Sequence, residues 1–136
     1  MISVKLIKEL ERLLIDIPVF WDSRKAILEM QKAGYKQWKQ MEWIGWYFEF
    51  LCSVKLFPVL QMPGPELGKT IFDGFSEVPW DFKVHPNKNA KGKGNDRVPI
   101  NDRVAMKNAI KKFGGVGIIF ATGEATYNDS DRSFQM

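Results

Sequence analysis

The chain has 136 residues, 45% of them hydrophobic and 26% charged, a balance that suits one globular domain with a buried core and excludes a disordered chain. Its formal net charge of +4 is modest, so the distribution of charge says more than the total. The lone cysteine, Cys52, lies in an apolar run and cannot form an internal disulfide, in keeping with core packing in a reducing compartment.

The first predicted element is an amphipathic helix over residues 2–16, with Ile2, Leu6, Leu10, Leu13 and Leu14 on one stripe and Pro18 beyond its end. This segment mixes charged with apolar residues, unlike a signal peptide, and no run approaches the length of a membrane span. A cytoplasmic protein with no membrane contact is the expectation. Asp22 or Ser23 can cap a second helix, 24-RKAILEMQKAG-34, which Gly34 stops. A third helix covers residues 36–55, and its aromatic content requires much of it to be buried.

From residue 56 onward, prolines and glycines interrupt short apolar runs. The reading is a strand at 56–61, a loop at 63–68 and a strand at 69–74. The strand 78-VPWDFKVH-85 follows, and residues 86–99 form a polar, basic, glycine-bearing loop. Asn101 or Asp102 caps a helix that runs to Phe113, where Gly114 and Gly115 end it. Val116 to Ala121 is an unbroken apolar run that suits a strand covered on both faces, and residues 124–136 read as a polar, acidic tail. The expected fold is therefore α/β: an αβββαβ core with a mixed central sheet flanked by helices. As a single domain it divides into an N-terminal helical segment (1–34), a core (35–123) and the tail (124–136).

The segment 71-IFDGFSEVPWDFKVHP-86 raises a specific question. Reversal around residues 76–78 puts residues whose numbers sum to 154 opposite one another, so that Asp73 meets Asp81. Directly opposed carboxylates repel, unless a divalent cation held by oxygen ligands turns the repulsion into attraction. Strand alternation sets Asp81, Lys83 and His85 on one face and Trp80, Phe82 and Val84 on the other. From Lys83 to Lys112 there are nine Lys or Arg (83, 88, 91, 93, 97, 103, 107, 111, 112) against Asp96 and Asp102, a local excess of seven positive charges. Such a segment attracts a polyphosphate, and a solvated loop and helix face is an equal alternative. Surface placement is likewise the plainer reading of His85, and core packing that of Trp38, Trp43, Trp46 and Trp80.

The stretches 41-MEWIGWYFEF-50 and 79-PWDFKVH-85, with Asp73 preceding 81-DFK-83 in the expected order of elements, resemble the PD-(D/E)XK nuclease superfamily, and type II restriction endonucleases in particular. By organisation the resemblance covers residues 38–123; by motif it covers a handful. Phe72 stands where the family usually has proline, and the second acid is Asp rather than Glu. The resemblance implies Mg²⁺, with Mn²⁺ as a substitute, bound by Asp73, Asp81 and the backbone carbonyl of Phe82. It implies a metal-activated water attacking phosphorus and Lys83 orienting or deprotonating that water. The family often adds a glutamate from the first core helix. Glu42 and Glu49 share a helical face about 10 Å apart, so one of them would reach the metal, with Glu42 favoured because the family's acid comes early in the helix.

Lys88, Lys91, Lys93, Arg97 and His85 are candidates for contacts with double-stranded DNA, and Asn87, Asn89 and Arg97 for base contacts. A restriction enzyme acting on a symmetric site would work as a homodimer. The ending DRSFQM is abrupt for a complete restriction enzyme, so a fragment of a longer protein or a naturally small form is expected. Two other readings remain open: a structure-selective nuclease of the same fold, acting on junctions or repair intermediates, and a non-catalytic nucleic-acid-binding module.

Overall fold

The computed structural model describes residues 2–35, 43–87, 103–128 and 131–136. Its elements in chain order are α1 (Val4–Leu14), β1 (Phe20–Asp22), α2 (Ser23–Lys32), α3 (Trp43–Leu56), β2 (Glu66–Leu67), β3 (Thr70–Ile71), β4 (Gly74–Ser76), β5 (Val78–Pro86), α4 (Arg103–Phe113), β6 (Gly117–Asn128) and β7 (Asp131–Gln135). A mixed five-stranded sheet has the order β1-β7-β6-β5-β4, and β2 and β3 form a separate hairpin. The pairs β1–β7, β6–β7 and β4–β5 are antiparallel. Helix α4 makes the long connection from β5 to β6, as a crossover between non-hairpin neighbours requires. The α/β class is thus as the sequence predicts.

The described residues fall into two compact units, the first built from residues 2–16, 52–82 and 103–119. In it α1 starts at Ser3, whose hydroxyl accepts the Leu6 N–H at 3.1 Å, and the helix buries Leu6 and Leu10 from its predicted stripe. The last turn of α3 buries Cys52 and Leu56 completely. Phe72, Ala105 and Ala109 form a core with Leu67, Met106 and Val116 against it. The two alanines sit four residues apart on α4, and their small side chains let Phe72 approach the helix closely. Phe75 meets Phe113 edge-on at 5.2 Å. Gly114, with φ +85°, ends α4 in the left-handed conformation that glycine tolerates best.

The second unit contains residues 17–35, 43–51, 83–87, 120–128 and 131–136. Its centre is Trp21, only 2% exposed, whose indole N–H donates to the Pro18 carbonyl at 2.6 Å. Phe134 lies 4.8 Å from that ring, with Tyr47 and Phe48 at 5.5 and 6.0 Å. Such aromatic clusters carry a large buried area together with defined ring geometry. Asp22 caps α2 by accepting the Lys25 N–H, and Ala26 and Met30 face the core.

Several expectations are corrected. Residues 124–136 are no tail: β6 continues to Asn128, and β7 lies between β6 and β1 with Phe134 fully buried. The N-terminal segment is not wholly helical, since β1 precedes α2 and pairs with β7. No strand forms at 56–61; α3 runs to Leu56, the Leu60 N–H bonds the Leu56 carbonyl, and Gln61 makes a single bridge to Phe75. The strand expected at 69–74 is divided into β3 and β4, and the loop at 63–68 contains β2. The predicted cap at Asn101 or Asp102, Trp38 and the first residues of the third helix lie outside the described residues. Among the described residues no helix is long and apolar enough to cross a membrane.

Candidate active site

The β4–β5 hairpin has the register expected from the sequence: Ser76 pairs with Val78, Phe75 with Pro79 and Gly74 with Trp80. A single residue, Glu77, makes the reversal with φ +65°, a left-handed conformation uncommon outside glycine. Its carboxylate accepts the Ser3 N–H at 2.8 Å and the Ser3 hydroxyl at 2.7 Å, which ties the turn to the start of α1. These bonds hold the Glu77 carboxyl below the ordinary carboxylate value.

Asp73 departs from expectation. It stands one residue before β4, and the ladder ends at Gly74–Trp80 instead of bringing Asp73 directly against Asp81. Continued by one more hydrogen-bonded pair, the register would set Phe72 opposite Phe82. Phe72 is already committed: its N–H donates to the Pro65 carbonyl at 3.0 Å and its own carbonyl accepts the Gly64 N–H at 2.7 Å. The Phe82 N–H therefore has no backbone acceptor in β4. The Asp73 carboxylate takes it through Oδ2 at 2.7 Å, substituting a side chain for the missing rung.

This bond fixes the rotation of the Asp73 carboxylate beside the 81–83 segment. In an antiparallel ladder the N–H and C=O of one residue project to the same side, so the Phe82 carbonyl faces the same edge as Asp73. Asp81 and Lys83, two residues apart on an unbroken strand, share a face, and both are half-buried. His85 shares that face at the same intermediate exposure. Asp73 and the Phe82 backbone are thus joined on one hairpin, with Asp81 and Lys83 flanking Phe82 along β5. Among the described residues no group of three or more His, Cys, Asp or Glu side chains is arranged to hold a metal. Two carboxylates and a carbonyl, were they to share a cation, would suit Mg²⁺ better than zinc, since Mg²⁺ keeps several waters and uses one or two carboxylates.

Glu49 lies on α3 in the second unit, where its Oε1 accepts the Tyr35 hydroxyl at 2.6 Å. A neighbouring pair, the Tyr47 hydroxyl donating to Glu29 at 2.8 Å, was not foreseen; no motif marks it, because Tyr47 and Glu29 come from different helices. Burial first, and Glu29 second, push the Tyr47 phenol above its ordinary value. Glu42, Lys88, Asn89, Lys91, Lys93 and Arg97 lie outside the described residues. Trp43 and Trp80 are buried, and the Trp80 indole donates to the Ser76 carbonyl at 3.0 Å, so both are packing residues as the plainer reading held.

No protein-family model matches the chain, and no curated protein or solved structure is significantly similar to it.

Proposed function

We propose that the chain is a Mg²⁺-dependent DNA endonuclease of the PD-(D/E)XK type, with a restriction-endonuclease-like core and most simply a restriction enzyme acting as a homodimer in the cytoplasm. The observation that carries this reading is the Phe82 N–H to Asp73 bond, which locks the first acid beside the 81-DFK-83 segment. Asp73, Asp81 and the Phe82 carbonyl would hold the cation, with Mn²⁺ as a substitute. Bound there, it would supply an acidified water and offset charge on the phosphate being attacked.

The chain's own residues have distinct tasks. Asp73 is oriented by a peptide N–H, so its position costs no reorganisation during reaction. Lys83 follows Asp81 on the same face, where its ammonium would steady a phosphate oxygen, or its neutral amine would receive a proton from the attacking water. Glu42, early in the predicted third helix, would complete the acid set. His85, with Lys88, Lys91, Lys93, Arg97 and the side-chain amides of Asn87 and Asn89, would contact the duplex.

Incubation with plasmid and Mg²⁺, repeated with EDTA and with Lys83→Ala, tests the proposal. Discrete fragments that need the metal and Lys83 support it. Cleavage of branched substrates alone would favour the junction or repair nuclease, and retention of DNA without any cut would favour the non-catalytic binder.

A further inference from the structure

We infer that the outward face of α4 is a phosphate-tracking surface for duplex DNA, an inference that rests on the nucleic-acid reading above. The helix RVAMKNAIKKF buries Ala105 and Ala109 and exposes Arg103, Lys107, Lys111 and Lys112. Arg103, Lys107 and Lys111 are four residues apart, so they form one row about 6 Å between neighbours and about 12 Å in all. That length matches three to four phosphates of one strand at roughly 3.4 Å of axis each.

The first part of the row works against the helix that carries it. Cations at i and i+4 repel, and Arg103 stands in the first turn, where the helix dipole disfavours positive charge; only Lys111 and Lys112, in the last turn, are favoured by it. The helix has no acid of its own, and among the described residues no carboxylate forms an ion pair with any of the four. Helix α1 shows the usual solution: Lys5, Lys8 and Arg12 alternate with Glu9 and Glu11, and Arg12 pairs with Glu9. A row with no carboxylate partner among the described residues, rising regularly along the helix, suits a regular anion. The inner face of the same helix packs on Phe72, the residue before Asp73, so a strand laid along the row is registered to the acidic hairpin.

The test is binding of a short DNA duplex in EDTA, followed by fluorescence anisotropy across a salt series. Wild type is compared with Lys107→Ala/Lys111→Ala, and with Lys5→Ala/Lys8→Ala as a control of equal charge on exposed positions of α1. The α4 pair should lower the log–log salt slope by about 1.8, two contacts at about 0.9 each, and weaken binding near 0.1 M salt by roughly tens of fold. The α1 pair should leave the slope unchanged. Equal losses from both pairs, an unchanged slope for the α4 pair, or no wild-type binding would overturn the inference. So would loss of binding to phosphatidylserine vesicles with DNA binding intact. Asp81→Ala, run alongside, separates the two proposals: if it abolishes Mg²⁺-dependent cleavage while the α4 pair binds as wild type, the nuclease stands and this surface does not. If the α4 pair loses binding but wild type never cuts, the surface stands and the nuclease does not.

Discussion

The Phe82 N–H and the Asp73 carboxylate meet at 2.7 Å, a bond between a peptide donor and a side chain that stands in for the next rung of the hairpin. The same carboxylate is thereby given a structural duty and a proposed chemical one, and the two can be separated. Asp73→Asn keeps an oxygen acceptor but loses the charge. It should fold nearly as wild type and lose Mg²⁺-dependent cleavage. Asp73→Ala removes the acceptor and should cost about 1–3 kcal/mol as well. Urea denaturation beside a plasmid assay distinguishes the pair.

Gly117 sits against the face of Trp80, where a Cβ would collide with the ring. Gly117→Ala should destabilise the protein by about 1–3 kcal/mol, because the buried indole cannot retreat without losing its bond to the Ser76 carbonyl. Thermal melts followed by tryptophan fluorescence would detect both the loss and the altered ring environment.

Glu77 gives stability a pH dependence with a definite sign. Its carboxyl is held below the ordinary 4.5 by the Ser3 hydroxyl and then by the Ser3 N–H. The contribution is present above the unfolded value and is lost as pH falls through the lower folded value. Glu77→Gln should therefore narrow the gap between Tm values measured at neutral pH and below about pH 4. Identical acid limbs for the two proteins would count against the Ser3 contact.

At the alkaline end the group is Tyr47, whose phenol burial raises above 10.0 with help from Glu29. The unfolded chain then loses this proton first, so stability declines as pH rises past about 10. Tyr47→Phe should flatten that decline. In wild type, the phenolate absorbance of Tyr47 should develop only late in the titration or on unfolding.

Phe134, completely buried and 4.8 Å from Trp21, anchors β7. Phe134→Ala should cost about 3–5 kcal/mol, a cavity cost read directly from denaturant midpoints.

Much of the hairpin and the helices was legible because local chemistry determines them. The cap at Asp22, the stripe of α1, the glycine stop of α4 and the pairing of residues summing to 154 each depend on neighbours within a few positions. What was missed depends on distant partners. DRSFQ carries one large apolar residue, and it is a strand because β1 and β6 flank it. Phe20–Asp22 is too short to announce itself. The run LFPVL is apolar enough for a strand or a helix end, and only the Leu60 to Leu56 bond decides it. The turn of Asp73 onto Phe82 was hidden for a similar reason, since it follows from the commitment of Phe72 to residues 64 and 65.

The seat of β7 between β1 and β6 has a bearing on biosynthesis. Trp21 finds its rung partner in Phe134, so a segment translated early waits for more than a hundred further residues before its edge is paired. On the ribosome, that half of the sheet is obliged to close late, and a contact this distant in sequence is of the kind that slows folding. Until then Trp21 depends on the helices nearest it for shelter.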